Sequence, residues 1–159
     1  MVKADAYGLG MAEVAPTLAR AGCKTFFVAT LGEAAELRAL LLDATIYVLG
    51  GLLKDTGPVY RALGLRPVLN SAAEVEEWAA FCSAVRAKLP AAIHIDSGMN
   101  RLGLSADEVA SLARAKGLLG TLELTLLMSH LACADETDHP KNETQRKTFD
   151  ALRDRKSVV

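Results

Sequence analysis

Residues 26–49 read FFVATLGEAAELRALLLDATIYVL. Phe26–Ala29 is an aromatic and β-branched run, Thr30 follows it with Glu33 three places on, and after a segment of helical period the chain returns at Thr45–Leu49 to a second apolar run. The two runs read as strands. Thr30 and Glu33 stand at the spacing in which an N-cap hydroxyl and the third helical residue satisfy each other's orphan backbone donors. A strand that leads through a helix into another strand predicts parallel pairing, since parallel neighbours need a long crossover.

The same order recurs along the chain. Arg66–Leu69, Ala92–Asp96 and Leu122–Met128 read as further strands, and Ser71 with Glu74, Ser105 with Glu108 and Asn142 with Gln145 repeat the cap spacing. Gly22, Pro90 and Gly117 mark helix stops. Val2–Gly10, VKADAYGLG, reads as the end of a strand running into a loop, so the start looks cut, with Met1–Lys3 as the stub of a first strand. That makes six strand-then-helix units. An open doubly wound sheet and a (β/α)8 barrel both use this pattern, but Gly8-Leu9-Gly10 lacks the third glycine and the later acidic partner of a dinucleotide-binding turn. The expectation is an α/β chain forming one incomplete (β/α)8 TIM-type barrel over residues 1–159, with about six βα units and without the last two.

The chain has 159 residues, 51% hydrophobic and 23% charged, with 18 basic against 19 acidic residues. A net charge of −1 offers no field for nucleic acid and no cationic face for a membrane surface. Cys23, Cys82 and Cys133 are odd in number and lack CxxC spacing, which argues against a disulfide framework and a zinc site; no metal is expected, and a cytoplasmic setting fits best. The longest apolar runs reach about half the ~20 residues of a membrane span.

In either architecture chemistry belongs at the carboxyl ends of the strands. Lys3 stands there, where lost solvation would favour a nucleophilic amine, although on these residues alone a surface lysine at a frayed terminus is the better reading. His94 and Asp96 alternate with Ile93 and Ile95 and should share the inward face of their strand, either as functional groups or as a satisfied structural pair. Between Gly98 and Gly103 a loop presents Arg101, whose fork suits a phenolate, carboxylate or phosphate, or else an ordinary salt bridge to Asp96. His130 closes the last apolar run. Asp135, Glu136 and Asp138 read as a solvated loop face and Cys133 as a small buried residue.

Together, Val2–Gly10 (VKADAYGLG), His94–Leu104 (HIDSGMNRLGL) and Ser129–Glu136 (SHLACADE) resemble, in order and approximate spacing, three signature segments of the alanine racemases, pyridoxal-phosphate enzymes of fold type III. The resemblance covers essentially the whole chain. It implies that Lys3 is the lysine that joins the cofactor covalently and serves as one of two bases at the substrate α-carbon, with Arg101 and His130 the other catalytic residues. Tyr7 would reach the cofactor phosphate, Arg101 its phenolic oxygen, His130 would pack against the pyridine ring and Leu49 would form an apolar wall. Alanine is the implied substrate and a homodimer the implied assembly of the full-length protein, with no nucleic acid or membrane partner.

Two departures accompany the resemblance. Many family members carry, at the position of His94, a lysine whose carbamate orients the arginine matched by Arg101; an imidazole would have to hold Arg101 here. A full-length member also continues into two more barrel units and a C-terminal β domain that brings a tyrosine as the second base. The tyrosines here are Tyr7, Tyr47 and Tyr60, and the latter two lie in no motif. The expected function is therefore L- and D-alanine interconversion in the parent enzyme with this chain inactive alone, the alternative being a non-catalytic pyridoxal-phosphate-binding or remnant domain.

Overall fold

The computed structural model describes residues 1–115 and 117–154, so Lys116 and residues 155–159 of the expected domain lie outside the described residues. Within its third strand the chain divides into two units, Met1–Val68 and the residues from Leu69 onward.

In the first unit β1 (Thr25–Val28) pairs in parallel with β2 (Thr45–Val48), from Thr25 opposite Thr45 to Val28 opposite Val48, and β2 pairs in parallel with β3 (Arg66–Leu69). The crossovers are α3 (Leu31–Leu40) and α4 (Gly57–Ala62). Two helical segments precede β1, α1 (Lys3–Gly8) and α2 (Met11–Arg20). Ile46, Tyr47 and Val48 are all buried, the continuous apolar reading of a strand covered on both faces. The capping box forms as its spacing predicts: Thr30 Oγ1 accepts from the Glu33 amide and the Glu33 carboxylate accepts from the Thr30 amide.

The stub at Met1–Lys3 is not a strand. One ladder bond survives, with the Val2 amide donating to the Phe27 carbonyl at 3.0 Å, and Val2 itself is fully buried. The expected loop after it is instead a left-handed turn: Ala4, Asp5, Ala6 and Tyr7 have φ of 51, 52, 54 and 58°. Each such L-residue costs roughly 1–2 kcal/mol, and runs of them are foreign to ordinary helices. The turn is therefore held by its surroundings rather than by its own preference.

In the second unit α5 (Ala72–Ala84) precedes β4 (Pro90–His94), and α6 (Ala106–Arg114) with a short 3-10 turn at Leu119–Thr121 leads to β5 (Glu123–Met128), which pairs with β4 in parallel. Val75, Trp78, Ile93, Ile95, Leu104 and Val109 form its core. Ser71 and Ser105 cap α5 and α6 as expected. Several boundaries differ from the sequence reading. Helix α5 ends at Ala84, where Arg86 turns to φ +53°, and Pro90 opens β4 instead of stopping a helix. The fourth strand ends at His94, two residues early. Finally α7 (Pro140–Arg153) begins at Pro140 with His139 as its cap, its Nδ1 accepting from the Lys141 amide, so Asn142 lies inside the first turn. Proline's fixed φ suits the first helical position and outweighs the weaker signal at Asn142.

Candidate active site

Lys3 follows the buried Val2, and the left-handed turn brings its Nζ to 6.0 Å from the centroid of the Tyr7 ring. Lys3 is half-buried, Tyr7 is 64% exposed, and Lys3 makes no ion pair among the described residues. Carboxylates fasten the turn. Glu33 Oε1 accepts from the Ala4 amide at 2.8 Å, Asp5 Oδ1 accepts from the Met11 amide at 2.6 Å, and the Gly10 amide donates to the Asp5 carbonyl at 3.0 Å. Leu49, half-buried, lies just past β2, its amide donating to the Val28 carbonyl at 2.9 Å.

The second unit gathers His94, Asp96, Arg101 and His130. His94 is 7% exposed, and its Nδ1 lies 2.8 Å from Asn70 Oδ1. An amide oxygen can only accept, so Nδ1 carries the hydrogen and Nε2 is left as an acceptor when the ring is neutral. Burial favours that state by pushing the imidazole below its ordinary range; His130 adds to the effect, Asp96 opposes it and Arg101 adds again.

Asp96 takes the structural one of its two readings. Its Oδ1 accepts from the amides of Gly98, Met99 and Asn100 at 2.9, 2.8 and 3.1 Å, so it folds the loop beneath Arg101 and forms no salt bridge with it. Burial works against the carboxylate's charge, yet these amides outweigh it and hold Asp96 below the usual carboxylate range. Gly103 closes the loop at φ +109°, where a Cβ would stand 2.7 Å from the Asp96 amide nitrogen. Only glycine fits that approach. Arg101 is exposed at the loop's crest.

His130 is exposed, two residues beyond β5. Its segment is tied down by Gln145, a fully buried side chain of α7 whose Nε2 donates to the His130 carbonyl at 3.0 Å and to Ser97 Oγ at 3.3 Å, while its Oε1 accepts from the Ala132 amide at 2.8 Å. Asp135, Glu136 and Asp138 are exposed as expected, but Cys133 is half-buried rather than buried.

A sequence profile described as "Alanine racemase, N-terminal domain" matches residues 1–157. The chain belongs to the alanine racemase family. It is 56% identical over 135 residues to an alanine racemase of Methylobacterium nodulans, covering 85% of this chain and 36% of that one. It is 47% identical over 154 residues to a catabolic alanine racemase of Mesorhizobium japonicum, covering 96% and 40%. The crystal structure of alanine racemase from Bartonella henselae with covalently bound pyridoxal phosphate superposes with a TM-score of 0.93 at 36% identity, over 97% of this chain and 45% of that one. The architecture is thus that of the family's TIM-barrel-like N-terminal domain, and the chain spans well under half the length of these relatives.

Neither Asn70 nor Glu33 lies in a signature segment, so the sequence alone marks neither as a site residue. Glu33 was visible only as a cap residue. Among the described residues no cluster of histidine, cysteine and carboxylate side chains is placed to hold a metal, and no helix is long and apolar enough to cross a membrane.

The His94 environment predicts a pH dependence. An imidazole whose folded pKa lies below its unfolded value of about 6.5 adds stability that is complete above that pH. That stability is lost as the pH falls toward and through the depressed folded value. Thermal unfolding between about pH 8 and pH 5 should therefore show the unmodified chain losing stability relative to His94→Gln as acid is added. Parallel curves for the two would show that His94 is not held neutral.

Proposed function

We propose that this chain supplies the lysine-bearing part of a pyridoxal-phosphate-dependent racemase that interconverts L- and D-alanine, acting in the cytoplasm within a longer, homodimeric protein. The observation that carries this reading is the turn that puts the amine of half-buried Lys3 6.0 Å from the ring centroid of exposed Tyr7, with that amine in no ion pair among the described residues. An amine for the aldehyde carbon and a phenolic O–H for a phosphate oxygen are the donor set the cofactor needs, so the residues fit it.

When bound, the cofactor supplies an electron sink for the charge left at the α-carbon. Lys3 would hold the cofactor's aldehyde carbon through Nζ and would serve as the base that moves the α-proton on its own face. Tyr7 donates to the phosphate. The guanidinium of Arg101 would donate to the phenolic oxygen, and His94, with Nδ1 committed to Asn70, has Nε2 left as the acceptor that would orient it. His130 would pack against the ring and Leu49 would exclude water.

Titration with pyridoxal phosphate and with pyridoxal tests the reading. The phosphate ester should saturate the chain about 10-fold or more below pyridoxal, because loss of a charge-assisted hydrogen bond costs roughly 1.5–3 kcal/mol. Tyr7→Phe should narrow that gap. Saturation by neither compound would overturn the proposal.

A further inference from the structure

Cap glutamates in this chain reach outside their own helices. Glu108 Oε1 accepts from the Ala72 amide at 3.0 Å while Oε2 accepts from the Ser105 amide. Glu33 repeats the device on the lysine turn: Oε1 takes the Ala4 amide at 2.8 Å, and Oε2 takes the amides of Ala29 at 2.7 Å and Thr30 at 3.2 Å. The Ala4 amide belongs to the peptide plane from which the Lys3 side chain is carried, and Ala4 begins the left-handed run at φ 51°.

We propose that Glu33 is a positioning residue for Lys3, clamping the Lys3–Ala4 peptide so that the amine is presented from the left-handed turn; this rests on the assignment of Lys3 as the cofactor lysine. Four strained residues stay left-handed only while something over-determines them. Asp5 and Gly10 hold the far side of the turn, and Glu33 holds the near side. A carboxylate can take three N–H donors at once. A glutamine has one acceptor oxygen and would turn its own N–H₂ toward the remaining donors, so Glu33→Gln releases part of the clamp without changing the side chain's size.

The experiment compares Glu33→Gln with Glu108→Gln in the 159-residue chain, since Glu108 performs the same tie where no lysine is involved. Two readouts are followed, the rate at which pyridoxal phosphate is captured on Lys3 and trapped by borohydride, and hydrogen exchange of the Ala4 amide. Glu33→Gln should slow capture by about 10- to 100-fold, the scale of a lost orienting partner or a displacement of about 1 Å, and should speed exchange at Ala4. Glu108→Gln should do neither. Capture by Glu33→Gln at the unmodified rate, or equal slowing by Glu108→Gln, overturns the proposal. If Glu33→Gln loses the far-ultraviolet spectrum of the unmodified chain, Glu33→Asp replaces it, being one methylene too short to span from α3 to Ala4. Should the unmodified chain capture nothing on Lys3, the racemase reading fails, and Ala4 exchange alone decides the clamp: accelerated in the variant it stands, unchanged it falls.

Discussion

Borohydride trapping of the chain mixed with pyridoxal phosphate is expected to place the label on Lys3, and Lys3→Ala to reduce incorporation to the background of ordinary surface lysines. Every exposed amine reacts to some degree with an aldehyde, so the prediction concerns selectivity. Lys24, Lys54 and Lys88 are exposed, whereas Lys3 is half-buried and shares its turn with Tyr7. A cofactor held by its phosphate beside an amine reacts as if intramolecular, and well-oriented pairs of that kind reach effective molarities of about 10⁵ M or more. Even a small part of that advantage makes Lys3 dominant by more than about 100-fold. Peptide mapping decides it. A label concentrated on Lys24, Lys54 or Lys88, or undiminished in Lys3→Ala, would remove Lys3 from its assigned role.

The parts of this fold that could be read in the sequence are those whose cause is local. Thr30, Ser71 and Ser105 cap helices because each partner lies three residues away, and the parallel strands follow from apolar runs separated by those helices. The parts misread have distant causes. Nothing in Ala4-Asp5-Ala6-Tyr7 announces four positive φ angles; the turn is set by Glu33, 29 residues on from Ala4, and by packing of Val2 and Ala6. Asp96 reads from sequence as a functional group or as a satisfied structural one; the structure gives the second, but its partners are not legible, because the three amides it accepts from converge only once the Gly98–Asn100 loop has folded. Gln145 was noticed at a cap spacing, yet it is a buried tie between the segments carrying Ser97 and His130. The candidate site shows the same division. Its proposed residues, Leu49 apart, lie in three short signature segments, while Asn70, which sets the tautomer of His94 from 24 residues away, lies in none.

The 159-residue chain alone is expected not to racemise alanine at an enzymatic rate. Racemisation takes a proton from one face of the α-carbon and returns one to the opposite face, so two positioned acid–base groups are needed, of which Lys3 is the one proposed above. The tyrosines are the candidates for the other, and the structure employs two of them elsewhere. Tyr60 is buried, with its hydroxyl donating to the Gly51 carbonyl at 2.6 Å. Tyr47 is buried, stacked on Phe27 at 5.0 Å, and its hydroxyl accepts from Arg66 Nη1 at 3.1 Å. Tyr7 lies on the same turn as Lys3 and is assigned to the phosphate. A missing acid or base costs about 10²- to 10⁴-fold, which would bring the chain close to the rate of free pyridoxal phosphate. Circular dichroism of L-alanine followed with the chain, with Lys3→Ala and with free cofactor at equal concentration measures this directly. Turnover by the chain about 100-fold or more above both controls would mean that a second base stands among these residues, and Tyr7→Phe would then identify or exclude the one phenol on the lysine's own turn.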